Sequence, residues 1–287
     1  MSLSKINLNN FRSFKNSSFN LSQKNLILGK NGAGKSSFLE AIFFILSKKS
    51  FRTSSSNAMI NFGSNFFKVD AILDGEKVSF TKDLSSSVKS NVGNIQNDFL
   101  PLVLNNFSLN LLEAPKENRR AFIEYLMFHV EQDYKTDHLK FKKALAQRNR
   151  ALKKSSSSEL KSWTKVFIDL SQKLTKKKLE FIDSFLKSFP SFIDSLTIPD
   201  NLKDKFKEIS IAYDKGWKDN LLEELRESFI KDQTRGFTSL GPQTSDLSVK
   251  INKQDSGNIL SRGEQKLLIL LIYLFFIKAY NDLRPNK

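Results

Sequence analysis

Three observations predict an α/β fold in which a β-rich first part carries a helical lobe and then regains β character. The first is a glycine-rich octapeptide, Gly29-Lys30-Asn31-Gly32-Ala33-Gly34-Lys35-Ser36, set between a short apolar run and a helical period. The second is a change of hydrophobic period near Pro115, from alternation to helical stripes, lasting to about residue 235. The third is Leu260-Ser261-Arg262-Gly263-Glu264-Gln265, lying directly before an apolar helix. They divide the chain into residues 1–112, 113–235 and 236–287.

In chain order, Leu3 to Asn9 reads as an opening strand, with Ile6 and Leu8 on one face, and residues 10–14 as a turn. Leu26-Ile27-Leu28 reads as a short strand feeding the octapeptide, and Ser37 to Ser47 as the helix after it. Lys48 to Asn57 is polar and serine-rich, a loop. Phe66 to Leu73 and Glu76 to Lys82 form a hairpin turned by Asp74-Gly75, because Val78 and Phe80 alternate with Lys77, Ser79 and Thr81. Leu100 to Leu104 is another short apolar run. Asn118 to Val130 and Asp137 to Lys154 are helical. In the second of these, Phe141, Leu145 and Leu152 share a face that excludes Lys140, Lys143, Arg150 and Lys154. That basic set either tracks a phosphate backbone or is an ordinary solvated face. A break at Ser155 to Ser158 precedes a long helix with the stripe Phe167, Leu170, Leu174, Phe181 and Phe185, interrupted from Ser188 to Asp200 by Pro190 and Pro199. Lys218 to Lys231 resumes the helical period. Gly241-Pro242 is a turn, Leu247, Val249 and Ile251 alternate as a strand, and Leu267 to Ile277 lies within a buried helix.

The octapeptide fits the P-loop pattern: Gly, four residues, Gly, Lys, then Ser or Thr. Small residues let successive N–H groups turn inward onto phosphate oxygens, and the following helix points its positive end at them. Lys35 is expected at the β- and γ-phosphates of ATP, and the Ser36 hydroxyl on Mg²⁺. Gly29, Lys30, Asn31, Gly32, Ala33 and Gly34 supply the cradle.

The 287 residues include 46 Lys+Arg against 30 Asp+Glu, a formal charge of +16, which favours a polyanionic partner. There is no cysteine, so disulfides and thiolate metal sites are excluded. The longest apolar run, eleven residues, falls short of the ~20 needed to span a membrane. The expected location is the cytoplasm.

The heptapeptide Leu260 to Lys266 is by itself a helix cap, with Glu264 three residues after Ser261. Downstream of a P-loop it resembles the ABC-ATPase signature. The interval from Ser36 to Ser261 is 225 residues, long for a transporter nucleotide-binding domain and short for SMC coiled coils. In this setting the chain resembles the RecF family of bacterial DNA replication and repair proteins. The resemblance rests on Asn10-Phe11-Arg12, the P-loop, Leu39-Glu40-Ala41-Ile42, Phe51-Arg52, Arg119-Arg120-Ala121-Phe122, Phe128-His129-Val130-Glu131, Ala144-Leu145-Ala146-Gln147-Arg148-Asn149, Gly241-Pro242-Gln243-Thr244-Ser245-Asp246-Leu247 and the signature.

The resemblance implies an ABC/SMC-type ATPase head, with a mixed sheet in lobe I, an inserted helical lobe II, and a homodimer that forms on ATP. It implies that Lys35 and Ser36 of one subunit face Ser261 and Gly263 of the other, and that Arg12 approaches the phosphates. It also implies a slow DNA-dependent ATPase, located in the cytoplasm at the nucleoid. Such a protein binds single-stranded, gapped or junction DNA and acts with RecR- and RecO-type mediators to load recombinase in post-replication repair and the SOS response. Two departures stand out. Gln243 occupies a position where the family usually has His. No apolar strand ending in acidic residues, the Walker B element, follows the signature. The expectation is therefore a chain truncated before Walker B, its catalytic acids missing, with a catalytically inactive DNA- or partner-binding module as the alternative.

Overall fold

A computed structural model describes residues 2–91, 101–131, 133–154 and 156–282. Leu100, Ser155 and residues 283–287 of the readings above lie outside the described residues. The chain folds as two compact units, one running to Val103 and the other beginning at Leu104.

The first unit is a five-stranded sheet with a helix on one face. Strands β1 (Leu3–Phe11), β2 (Phe14–Asn20), β3 (Phe66–Leu73), β4 (Glu76–Asp83) and β5 (Lys89–Ser90) lie in the order β2-β1-β3-β4-β5. Helix α1 (Lys35–Ser47) packs Phe38, Ala41, Phe44 and Ile45 onto the inward residues of β1, β3 and β4. The centre is aromatic: Phe11 meets Phe67 edge-on at 5.2 Å, and Phe44 meets Phe67 and Phe80 at 5.5 Å. Each buried ring contributes about 1.5–3 kcal/mol by leaving water. The Asp74-Gly75 turn forms as expected, with φ of 51° and 84°, the left-handed pair that a two-residue hairpin requires.

Two expectations fail here. The ladders described in this unit are all antiparallel rather than mixed. Leu26-Ile27-Leu28 forms no strand. Its alternation persists, with Ile27 packed on the core and Leu26 and Leu28 more than four-fifths exposed. An extended segment becomes a strand only when a neighbour completes its ladder, and none of the described strands pairs with this one.

The second unit holds the helical segment and the signature. Helices α2 (Asn106–Leu109), α3 (Lys116–Val130), α4 (Tyr134–Lys154) and α5 (Ser157–Asp194) come first. The α5 helix spans 38 residues and runs through Pro190, contrary to the expected interruption. Pro190 forfeits one backbone hydrogen bond, but Phe185, Phe189 and Phe192 around it are buried against Phe275 and Phe276, which holds the helix continuous. Helix α6 (Asp200–Lys207) leads into strand β6 (Ile209–Asp214). Helices α7 (Leu221–Glu227) and α8 (Phe229–Arg235) divide the expected Lys218–Lys231 helix at Ser228. Strand β7 (Asp246–Ile251) pairs antiparallel with β6 and with β8 (Gln254–Asp255), and α9 (Ser256–Ile259) and α10 (Arg262–Asp282) close the unit. The segment from residue 236 thus groups with the helical lobe instead of returning to the first unit. The cause is β6, a strand inside the segment read as helical, which is the partner of β7.

Candidate nucleotide-binding site

Gly32 and Gly34 adopt φ of 83° and 92°, which only glycine reaches cheaply. At Gly34 the backbone is also crowded, since a Cβ there would lie 2.8 Å from Ser13 Oγ and 2.9 Å from Phe14 Cζ. The β1–β2 turn therefore backs directly onto the loop. Gly34 precedes α1, whose first turn carries no side-chain cap and no acidic residue. The first α-helical bond is Phe38 N–H to Gly34 O at 2.9 Å, so the N–H groups of Lys35, Ser36 and Ser37 precede the helical ladder. Lys35 Nζ donates to the carbonyls of Gly29 at 2.7 Å and Lys30 at 2.9 Å. The ammonium thus lies across the mouth of the loop, on acceptors that an incoming phosphate can replace. The Ser36 hydroxyl is exposed. Beside the loop is a cleft of about 330 Å³ between Phe14, Phe19, Ile27, Lys35 and Phe38, within the range of small-ligand pockets. This donor set, a helix terminus without acidic residues and one cation held only by carbonyls, fits a triphosphate.

Arg12 is elsewhere engaged. Its Nε and Nη2 donate to both oxygens of Glu40 at 2.8 and 2.6 Å, and Nη1 donates to Ala58 O. Glu40 is fully buried on α1 and also accepts from Ser50 and from Arg52 Nη1 at 3.3 Å. Arg12 thus fastens the β1–β2 turn to α1. Sequence reasoning missed this pairing: Glu40 lies in the matching stretch Leu39-Glu40-Ala41-Ile42, but no apolar period marks it as buried.

The signature residues lie in the second unit. Ser261 and Glu264 form a reciprocal capping box: Ser261 N–H donates to Glu264 Oε2 at 2.7 Å, and Glu264 N–H donates to Ser261 Oγ at 3.3 Å. Lys205 Nζ holds Glu264 Oε1 at 2.6 Å. The Lys205 hydrogen bond and the two bonds from Ser261 draw the Glu264 carboxyl down to about 2. Gln265 is buried and ties the turn down through Gly257 O, Leu260 O and Glu113. Gly263 is exposed, lacks a positive φ, and has open space where a Cβ would sit. Nothing in its own fold requires glycine there.

Several family-matching residues prove structural. Arg119 grips Asp246 with two bonds of 3.0 and 2.8 Å. Arg148 is buried with Asp232 at 3.6 Å, and Asn149 Oδ1 receives the N–H and hydroxyl of Thr238. Gln243 Nε2 donates to Thr238 O and Leu240 O, bracing that loop. Lys140, Lys143, Arg150 and Lys154 are exposed, as the helical period of α4 predicts. Among the described residues no acidic or histidine cluster could hold a metal ion, and no helix is long and apolar enough to cross a membrane.

The family model described as the RecF/RecN/SMC N-terminal domain matches residues 2–283. The chain is 30% identical over 274 residues to the DNA replication and repair protein RecF of Saccharophagus degradans, covering 89% of this chain and 73% of that protein. It is 31% identical over 294 residues to RecF of Pseudoalteromonas translucida, covering 94% and 77%. A solved structure of the recombination mediator protein RecF with ATP in the RecFOR pathway matches with a TM-score of 0.82 at 23% identity, over 97% of this chain and 81% of that one, a likeness of fold. The chain therefore belongs to the RecF family, within the RecF/RecN/SMC N-terminal domain group.

Proposed function

We propose that this protein binds ATP through residues 29–36 and acts as a RecF-type DNA-binding factor in recombinational repair and replication. The observation that carries the reading is the loop itself, whose lysine rests on two carbonyls beside a helix terminus free of acidic residues. Lys35 exchanges those carbonyls for oxygens of the β- and γ-phosphates. The first N–H groups of α1 hold the remaining oxygens, and the Ser36 hydroxyl serves as a ligand of Mg²⁺. The metal, when bound, neutralises phosphate charge. Arg12 positions the β1–β2 turn behind Gly34 through its bonds to Glu40 and approaches the phosphates from that turn.

Ser261 and Gly263 of a second copy complete the site. Contact with both copies gives ATP a higher affinity for the dimer than for the monomer, and that difference drives association. DNA, and mediator proteins of the RecR and RecO type, are the partners that this reading supplies, at the nucleoid of the cytoplasm. The experiment is sedimentation with and without ATP: the protein shifts toward dimer, and Lys35→Ala abolishes the shift. An ATP response unchanged in the variant defeats the proposal. Phosphate release measured with gapped DNA then separates a turning-over ATPase from a nucleotide-gated binder, since turnover that survives Lys35→Ala belongs to neither.

A further inference from the structure

The second unit carries a groove that neither the P-loop nor the signature uses. It is about 1110 Å³, floored by the C-terminal end of α4 and walled by the first half of α5 on one side and by α7 and α8 on the other. The α5 wall extends from Ser157 to Gln172, about 22 Å at 1.5 Å per residue. This exceeds an ordinary small-ligand pocket in volume and has the length of four helical turns.

Its lining is amphipathic in an ordered way. Leu160 and Ile168 stand two turns apart on α5 and face the groove with Leu222 and Phe229 of the opposite wall. Leu222 and Phe229 remain 38% and 37% exposed, an apolar surface left open among the described residues. Beside this stripe stand Lys161 and Lys165, one turn apart on α5, and Arg226 on α7. None of these three makes an ion pair among the described residues. Asp169 is the one acidic residue in the lining. Arg148, at the floor, is already matched by buried Asp232.

We propose that this groove is a docking site for an acidic amphipathic helical peptide, presented by a partner protein, whose apolar face lies on Leu160, Ile168, Leu222 and Phe229 and whose carboxylates meet Lys161, Lys165 and Arg226. An apolar stripe between two helical walls is the receptor geometry for a helix in a groove, read through anchors at i, i+3/i+4 and i+7. The unpaired cations select the sign of the flanking charge and suppress basic competitors. Single-stranded nucleic acid fits less well. Its bases need aromatic platforms, and Phe229 is the sole aromatic ring in the lining.

The test is selection of a displayed library of 14-residue peptides on the full chain, followed by polarisation titration of a recovered, labelled peptide. The expected families have net negative charge and apolar residues at i, i+3/i+4 and i+7. Their affinity falls at least tenfold in Lys161→Glu/Lys165→Glu and several-fold in Leu222→Ser. All three positions are exposed, and circular dichroism establishes that the variants keep the wild-type helix content. The proposal is overturned if no recovered family depends on these residues, or if the dependent families are neutral or basic. It is also overturned if a labelled oligothymidylate is what loses affinity with the charge-reversed pair, which assigns the groove to DNA. Self-association abolished by the same pair assigns it to a second copy and overturns it equally.

Discussion

Gly34 and Lys35 were legible because each satisfies a local requirement that sequence records: a left-handed φ at the loop's last glycine, and a cation directly after it that folds back over the loop. Gly34→Ala adds a left-handed strain of about 1–2 kcal/mol to a clash with Ser13 and Phe14. It is expected to lower the melting temperature by several degrees and to eliminate binding of a fluorescent ATP analogue. Arg148 shows the opposite case. It sits on a basic helix, at i+7 from Phe141 and i−4 from Leu152, so the period turns it inward while Arg150 faces out, but the period does not name the acid that receives it. Only the fold reveals that it is 2% exposed against a fully buried Asp232. Arg148→Met leaves that carboxylate buried without a countercharge, which costs about 3–5 kcal/mol. Urea denaturation is expected to show the midpoint falling accordingly. Arg12 is a related case. A basic residue near a phosphate loop suggests a ligand contact, and its partner in the fold, Glu40, is an acid whose burial appears only once α1 is packed.

Among the elements, α10 was the best predicted, cap included. The capping box of Ser261 and Glu264, strengthened by Lys205, contributes stability only while Glu264 is ionised. Its carboxyl titrates near 2 in the folded protein against the usual 4.5. That stability is complete above pH 4.5 and disappears as the pH falls toward 2. Thermal melts should therefore show a wild-type advantage over Glu264→Gln at pH 7 that shrinks between pH 4.5 and 2. Gly263 supplies a sharper test of the signature. Alanine there has space and suits the first turn of a helix, by up to about 1 kcal/mol over glycine. Gly263→Ala is expected to melt no lower than wild type and yet to lose ATP-driven dimerisation in sedimentation. A variant that dimerises normally removes this residue from the interface. The helical period gave α3 and α4 to within a few residues and the start of α5, but not its passage through Pro190. It missed β6, because Ile209, Ile211 and Tyr213 alternate over too few residues to compete with the helices on either side. With β6 unseen, the grouping of residues 236–282 could not be read correctly.

At the scale of the molecule, +16 charges set the terms of any encounter with nucleic acid. If six or more phosphates are neutralised, affinity for gapped DNA drops on the order of a thousandfold between 50 and 200 mM salt. A titration of binding against salt measures that slope, and a flat response removes the basic surface from the account. The exposed lysines of α4 are where charge reversal should reduce the slope, whereas Lys161 and Lys165 belong to a different surface and should leave it unchanged. Composition could suggest a polyanion. It could not say which cations are free and which, like Lys178 on Glu124 or Lys177 on Asp137, are held inside the fold.

The bare segment before the P-loop has a practical consequence for anyone handling the protein. Leu26 and Leu28 present greasy side chains on a backbone that pairs with no strand among the described residues, a template onto which another extended chain can add. Concentrated solutions should slowly thicken into β-rich multimers, visible as rising light scattering and thioflavin fluorescence. Lys substituted at both leucines should delay that onset several-fold.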